Sequence, residues 1–149
     1  MIRMPWLSAL ALGLLAFAAC SRDEIEVPKN AGPASAVARA WLEAGLEVAD
    51  FAPAPDAKID GDCVSGNVSE IAVLVCQLPK PTPGKQSTTE IAEHAEEQGL
   101  KMIGDAPSGA SLAHHGRLLV IADRHSLDPD GKVVNQITEI FRKTGSDGE

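Results

Sequence analysis

The 149-residue chain has no tyrosine, and beyond residue 20 its aromatic residues are Trp41, Phe51 and Phe141 alone. Three rings barely serve a core and leave none for an exposed platform on which bases could stack. Basic residues are also scarce: 13 Lys and Arg stand against 21 Asp and Glu, a net charge of −8. Phosphate backbones are held by cations that displace counterions, so nucleic acid is excluded as a partner. Cysteine is limited to Cys20, Cys63 and Cys76, with no C-x-x-C pair, which removes a thioredoxin-like redox site. Long apolar runs are missing after residue 19.

Before residue 19 there is one. Arg3 is the only charge ahead of Cys20, and Trp6 to Ala19 is almost wholly apolar. A spanning helix needs roughly 20 apolar residues, so this run is short for a permanent span and suits the core of a signal peptide. Ala18-Ala19-Cys20 resembles the lipobox of bacterial lipoproteins, with Phe17 where leucine is usual. The resemblance implies that residues 1–19 are removed, that the Cys20 thiol is diacylglycerated, and that the new amine is acylated. Ser21 in place of aspartate implies the outer membrane in the Gram-negative sorting scheme, on its periplasmic or surface face. Beyond the lipobox the chain resembles small uncharacterised envelope lipoproteins of GC-rich Gram-negative bacteria, some with a cysteine-bracketed hairpin. That likeness brings no known activity.

A second processing pattern competes. Ala16-Phe17-Ala18 fits an A-x-A site, which would release a soluble exported protein beginning Ala19-Cys20. Cysteine parity favours the lipid, because export promotes pairing and three thiols leave one over. Acylating Cys20 leaves Cys63 and Cys76 to pair. The processed chain would carry 12 basic and 21 acidic residues, a net charge of −9. Anionic lipid repels such a surface, so the lipid on Cys20 must provide the membrane attachment. Each buried methylene contributes about 0.8 kcal/mol, and two or three acyl chains hold where one does not.

The expected organisation is a signal peptide over 1–19, a lipidated N-terminus and flexible tether over 20–33, one α+β domain over 34–145, and a disordered tail over 146–149. Val37, Ala38, Trp41, Leu42, Val48 and Ala49 recur at helical spacing and predict a first helix from Ser35 to Ala49. A hairpin pairing Cys63 with Cys76 also pairs Val64 with Val75 and Val68 with Ile71, with its turn at Ser69-Glu70. Val64, Val68, Ile71, Val73 and Val75 then share one face, and the cysteines lie on the other. The cysteines occupy a non-hydrogen-bonded pair, where Cα atoms approach to about 4.5 Å, at the close end of disulfide geometry. A turn at Gly66-Asn67 is the stronger local signal, but it would strand Cys76. Ser87 and Glu90 form a capping-box pattern for a second helix that Gly99 ends, with Leu100 to Ile103 as an added short strand.

Gly109–Ala113 and Arg117–Asp123 predict a second hairpin, and Leu118 to Ala122, apolar on both faces, its central strand. Asp128 caps a last helix with Pro129 at its first position. The resulting order is α-ββ-α-ββ-α: an antiparallel sheet of four or five strands with the helices on one face. Each hairpin precedes a helix, consistent with a diverged ββα repeat or with ordinary α+β construction.

Candidate chemistry is thin. His114, His115, Asp123, His125, Asp128 and Asp130 are the residue types that hold zinc or copper, and they motivate an alternative function as a soluble exported module binding a metal or small ligand. The hairpin, however, separates its turn from the far strand end by about 20 Å. Gly109-Ala110-Ser111-Leu112-Ala113 is one residue short of G-x-S-x-G, and its Ser111 motivates a small hydrolase as a further alternative; the elbow needs a strand-to-helix turn, not a hairpin strand. Gly84-Lys85-Gln86 lacks the remaining Walker residues, and Asp128-Pro129-Asp130-Gly131 lacks the later ligands of a calcium loop. The expectation is therefore an envelope protein without catalysis, cofactor or metal, tied to the membrane at Cys20 and serving a structural role or binding an unknown envelope protein or ligand.

Overall fold

The register set by the two cysteines organises the centre of the sheet. In a computed structural model, which describes residues 25–104, 109–122 and 128–145, β2 (Asp62–Val68) and β3 (Ile71–Gln77) pair antiparallel with Cys63 opposite Cys76 and Val68 opposite Ile71. Ser69 and Glu70 make the turn, both with positive φ, at 48° and 72°. That is the backbone of a tight turn whose twist matches the strands. Glycine and asparagine are usual there. The disulfide and the ladder outweigh the local preference for turning at Gly66-Asn67.

Five strands form one antiparallel sheet in the order β1-β2-β3-β5-β4, where β1 is Val48–Pro53, β4 is Ala110–His114 and β5 is Arg117–Ile121. The helices are α1 (Ser35–Glu43), α2 (Thr88–Ile103) and α3 (Lys132–Lys143). The α+β class and the five-strand antiparallel sheet agree with the sequence pattern. The one-faced helix layer does not.

Two separate cores lie on opposite faces of the sheet. On one, Val37 and Trp41 of α1 and Ile137 and Phe141 of α3 pack on Val64, Val73, Val75, Leu119 and Ile121. On the other, Ile91 and Ala95 of α2 pack on the disulfide, Leu74, Leu118 and Val120. Every residue of β5 is buried, and a strand apolar on both faces requires cover on both. This arrangement also bears on the repeat. The order β2-β3-β5-β4 has its two-fold axis perpendicular to the sheet, and that operation keeps α2 and α3 on one face. They occupy opposite faces, so the two hairpin–helix units are not symmetry equivalents.

A strand replaces the end of the expected first helix. α1 stops at Glu43 because Gly45, with φ 89°, reverses the chain. Leu46 N–H donates to Trp41 O and Gly45 N–H to Leu42 O, each at 3.0 Å, the paired bonds of a Schellman cap. Val48 and Ala49 then start β1. Its register shifts between Ala49 and Ala52, with Asp50 at φ 59°, so two residues oppose Gly66 in a bulge. The bulge turns Phe51 inward, and its ring lies where a Gly66 side chain would be: a Cβ there would sit 2.5–2.7 Å from three ring carbons.

The second helix shows the expected capping box, with Ser87 Oγ accepting from Glu90 N–H at 3.1 Å and Glu90 returning the bond to Ser87 N–H at 2.9 Å. It runs through Gly99 and absorbs the expected strand at Leu100–Ile103, ending at Gly104. The folded part also starts before Ala34, since Ala31 is fully buried and Val27 packs on the core. Cys20, the start of the expected tether at 20–24 and the tail at 146–149 lie outside the described residues.

Candidate functional site

Cys63 and Cys76 are bonded, with Cα atoms 4.0 Å apart, and both are buried under α2. They staple the hairpin from the α2 face and present no thiol. Ser111 lies on β4 beneath the same helix. Its hydroxyl donates to Glu96 O at 2.9 Å, and a Cβ at Gly99 would overlap that hydroxyl and stand 2.9 Å from Val120 Cγ2. Gly99 is therefore a contact point of helix on sheet, and Ser111 ties β4 to α2 through its own donor.

His114 and His115 stand beside the β4–β5 turn, their rings 4.0 Å apart in an edge arrangement. Burial holds the His114 imidazole below its usual pKa, and the charges of His115, Arg117 and Arg142 act in the same direction, against a hydrogen bond with the Arg142 backbone. His114 thus sits at the C-terminal end of α3. Asp128 sits at the other end, where its carboxylate accepts from Val133 N–H at 3.3 Å and Val134 N–H at 2.9 Å. A 12-residue helix is about 18 Å long, so α3 keeps the histidine pair and Asp128 apart. Asp123 and His125 lie outside the described residues, and among those described no three His, Cys, Asp or Glu side chains gather around one point.

Asp128 caps α3 differently from the expected way. Gly131, left-handed at φ 67°, occupies the N-cap position, and Gly131 N–H donates to Asp128 O at 3.0 Å. Pro129 therefore belongs to the preceding turn, not to the helix. An open cleft of about 590 Å³ runs from this turn along α3, bounded by Ala110, Asn135, Thr138 and Arg142. A smaller one, about 90 Å³, holds Asp60, His94 and Gln98, where His94 Nε2 is 3.6 Å from Asp60 Oδ2 on an exposed surface.

Sequence reasoning passed over Arg117, which is only 7% exposed. Its Nη2 donates to Thr144 O at 2.7 Å, and its guanidinium lies 5.7 Å from the Phe141 ring centre. Burial lowers its pKa from the usual arginine value. A cation on the last carbonyls of a helix satisfies acceptors that have no partner within the helix. The signal was a charge in an apolar strand two and four residues before Leu119 and Ile121, the parity that faces α3. Comparison with protein-family models, curated proteins and solved structures finds no match for this chain.

Proposed function

We propose that this chain is a lipid-anchored bacterial envelope protein whose stapled α+β domain has a structural or partner-binding role. The observation that carries the reading is Ala18-Ala19-Cys20 at the end of a 14-residue apolar run with a single preceding charge, Arg3. The bond between Cys63 and Cys76 supports it, because it leaves Cys20 as the one cysteine without a mate. Among the described residues no helix is long and apolar enough to cross a membrane, so a lipid on Cys20 would be the attachment.

The anchor would hold the domain close. Val27, where packing on the core begins, is seven residue steps beyond Cys20. Fully extended they reach at most about 25 Å. With a net charge of −9 after processing, the domain would be repelled by anionic lipid and face away from it, towards a partner.

Intact mass of the processed protein tests the reading. A product that begins at Cys20, carries acyl mass and partitions into detergent supports it, and Cys20→Ser should abolish all three features. A water-soluble product beginning Ala19-Cys20 with a free thiol would instead establish soluble export.

A further inference from the structure

We propose that the outer edge of β4, which no described strand covers, is a self-association surface, through which two copies of this chain join their sheets about a two-fold axis at Leu112. The inference rests on the fold and is independent of any lipid on Cys20. His114 and Arg117 close a two-residue turn, so His114, Leu112 and Ala110 exchange hydrogen bonds with β5. Ser111 and Ala113 point their N–H and C=O groups the other way. Among the described residues no backbone group meets them.

Open edges are normally blunted by charge, proline or a bulge. The opposite edge has all three: β1 carries the bulge at Asp50, the Asp50 carboxylate and Pro53. β4 has none. It reads Ala-Ser-Leu-Ala-His, in unbroken register with β5 and half-buried throughout.

The edge is also complementary to itself. Antiparallel pairing centred on Leu112 sets Ser111 of one copy opposite Ala113 of the second, and Ala113 opposite Ser111. Both residues point outward, so each pair exchanges two hydrogen bonds and the joint has four. The flanking helices leave room. Gly99 lies over both Ser111 and Val120, which are partners across β4 and β5, and α3 packs on the same two strands. α3 stands over the β4–β5 pair and α2 leans towards β4, so each two-fold mate would lie at most two strand spacings away, about 10 Å. Helices pack at 8–10 Å.

Charge selects the antiparallel arrangement. The cleft beside α3 has Asp128 and Asp130 with Ala110 at one end and Arg142 at the other, where His114 and His115 also stand. The two-fold reverses the second copy, so the acidic end of each cleft meets the basic end of the other; Lys132 is a base at the acidic end. The overall negative charge opposes association, so the dimer should tighten as salt screens it.

Sedimentation equilibrium of the full chain in density-matched detergent should show a reversible monomer–dimer equilibrium. Ala113→Pro removes two of the four hydrogen bonds at a position that donates nothing to β5, and should weaken the dimer by about 10- to 100-fold. Amide exchange on the unmodified chain gives a second readout, independent of how the variant folds. The Ser111 and Ala113 amides should slow as concentration rises, while the Leu112 amide, already bonded to β5, should not change. A chain that stays monomeric to millimolar concentration would overturn the proposal. So would a dimer in which the Ser111 and Ala113 amides exchange at their monomer rates.

Discussion

Replacing Gly99 by alanine sets two physical effects of opposite sign against each other. By helix propensity alone, alanine at an interior helical position stabilises by about 1 kcal/mol over glycine. The tertiary contact argues the reverse. A Cβ at position 99 would overlap the Ser111 hydroxyl and lie 2.9 Å from Val120 Cγ2 and 3.0 Å from Ser111 Cβ. Either α2 lifts off the sheet or Ser111 rotates away and gives up its bond to Glu96 O. Overpacking of this kind costs about 1–3 kcal/mol, and a lost hydrogen bond costs about 1 kcal/mol more. The expected net effect of Gly99→Ala is a destabilisation of about 1–3 kcal/mol, read as a lower urea midpoint by circular dichroism without reductant. Because the hydroxyl is the nearest obstacle, Gly99→Ala combined with Ser111→Ala should cost less than the sum of the two single changes. A Gly99→Ala variant as stable as the parent, or strict additivity in the double variant, would refute the contact.

Two further perturbations follow from the same structure. The disulfide joins residues 13 apart in sequence. Closing a loop of that size stabilises by about 3 kcal/mol in the chain-entropy account, so Cys63→Ala with Cys76→Ala should lose that amount in urea unfolding; an unchanged midpoint would contradict it. His114 is held below its usual pKa of 6.5 by burial first and by neighbouring cations second. The unfolded chain then binds the proton more readily, so the stability that depends on neutral His114 is present above about pH 6.5 and is lost as pH falls towards the lower folded-state pKa. An NMR titration should place His114 below 6.5, and His114→Gln should flatten the pH dependence of stability in that range. A titration midpoint at or above 6.5 would remove the argument.

Much of the fold was legible from patterns that operate over a few residues. The Cys63–Cys76 register needed only side-chain alternation, because a one-residue slip would move every valine to the wrong face. The capping box at Ser87 and Glu90 was equally local, and so was the second hairpin, although His114 belongs to β4 and not to the turn. The end of α1 has a local signal in Gly45, a residue favoured just past a helix C-terminus, but apolar residues continue at helical spacing through Ala49 and extend the expected helix past it. The expected one-faced helix layer was wrong because Leu118 to Ala122, apolar on both faces, needs cover on each. The candidate chemistry was less accessible. The types of His114 and Ser111 are visible in the chain, but Ser111 bonds to Glu96 O, 15 residues away, and His114 meets the Arg142 backbone at the end of α3; only Asp128, which caps Val133 and Val134, has local partners.

By itself the sequence determined the class of structure and the disulfide with its strand register, because alternation acts without knowledge of distant neighbours. Tertiary structure alone decided what Gly99, Gly66, Ser111 and Arg117 are for. Gly99 admits a strand and Gly66 admits the Phe51 ring; Ser111 ties β4 to α2 and Arg117 caps α3. Each of these roles is set by a group that comes into contact only when separate elements pack, and no local propensity records it.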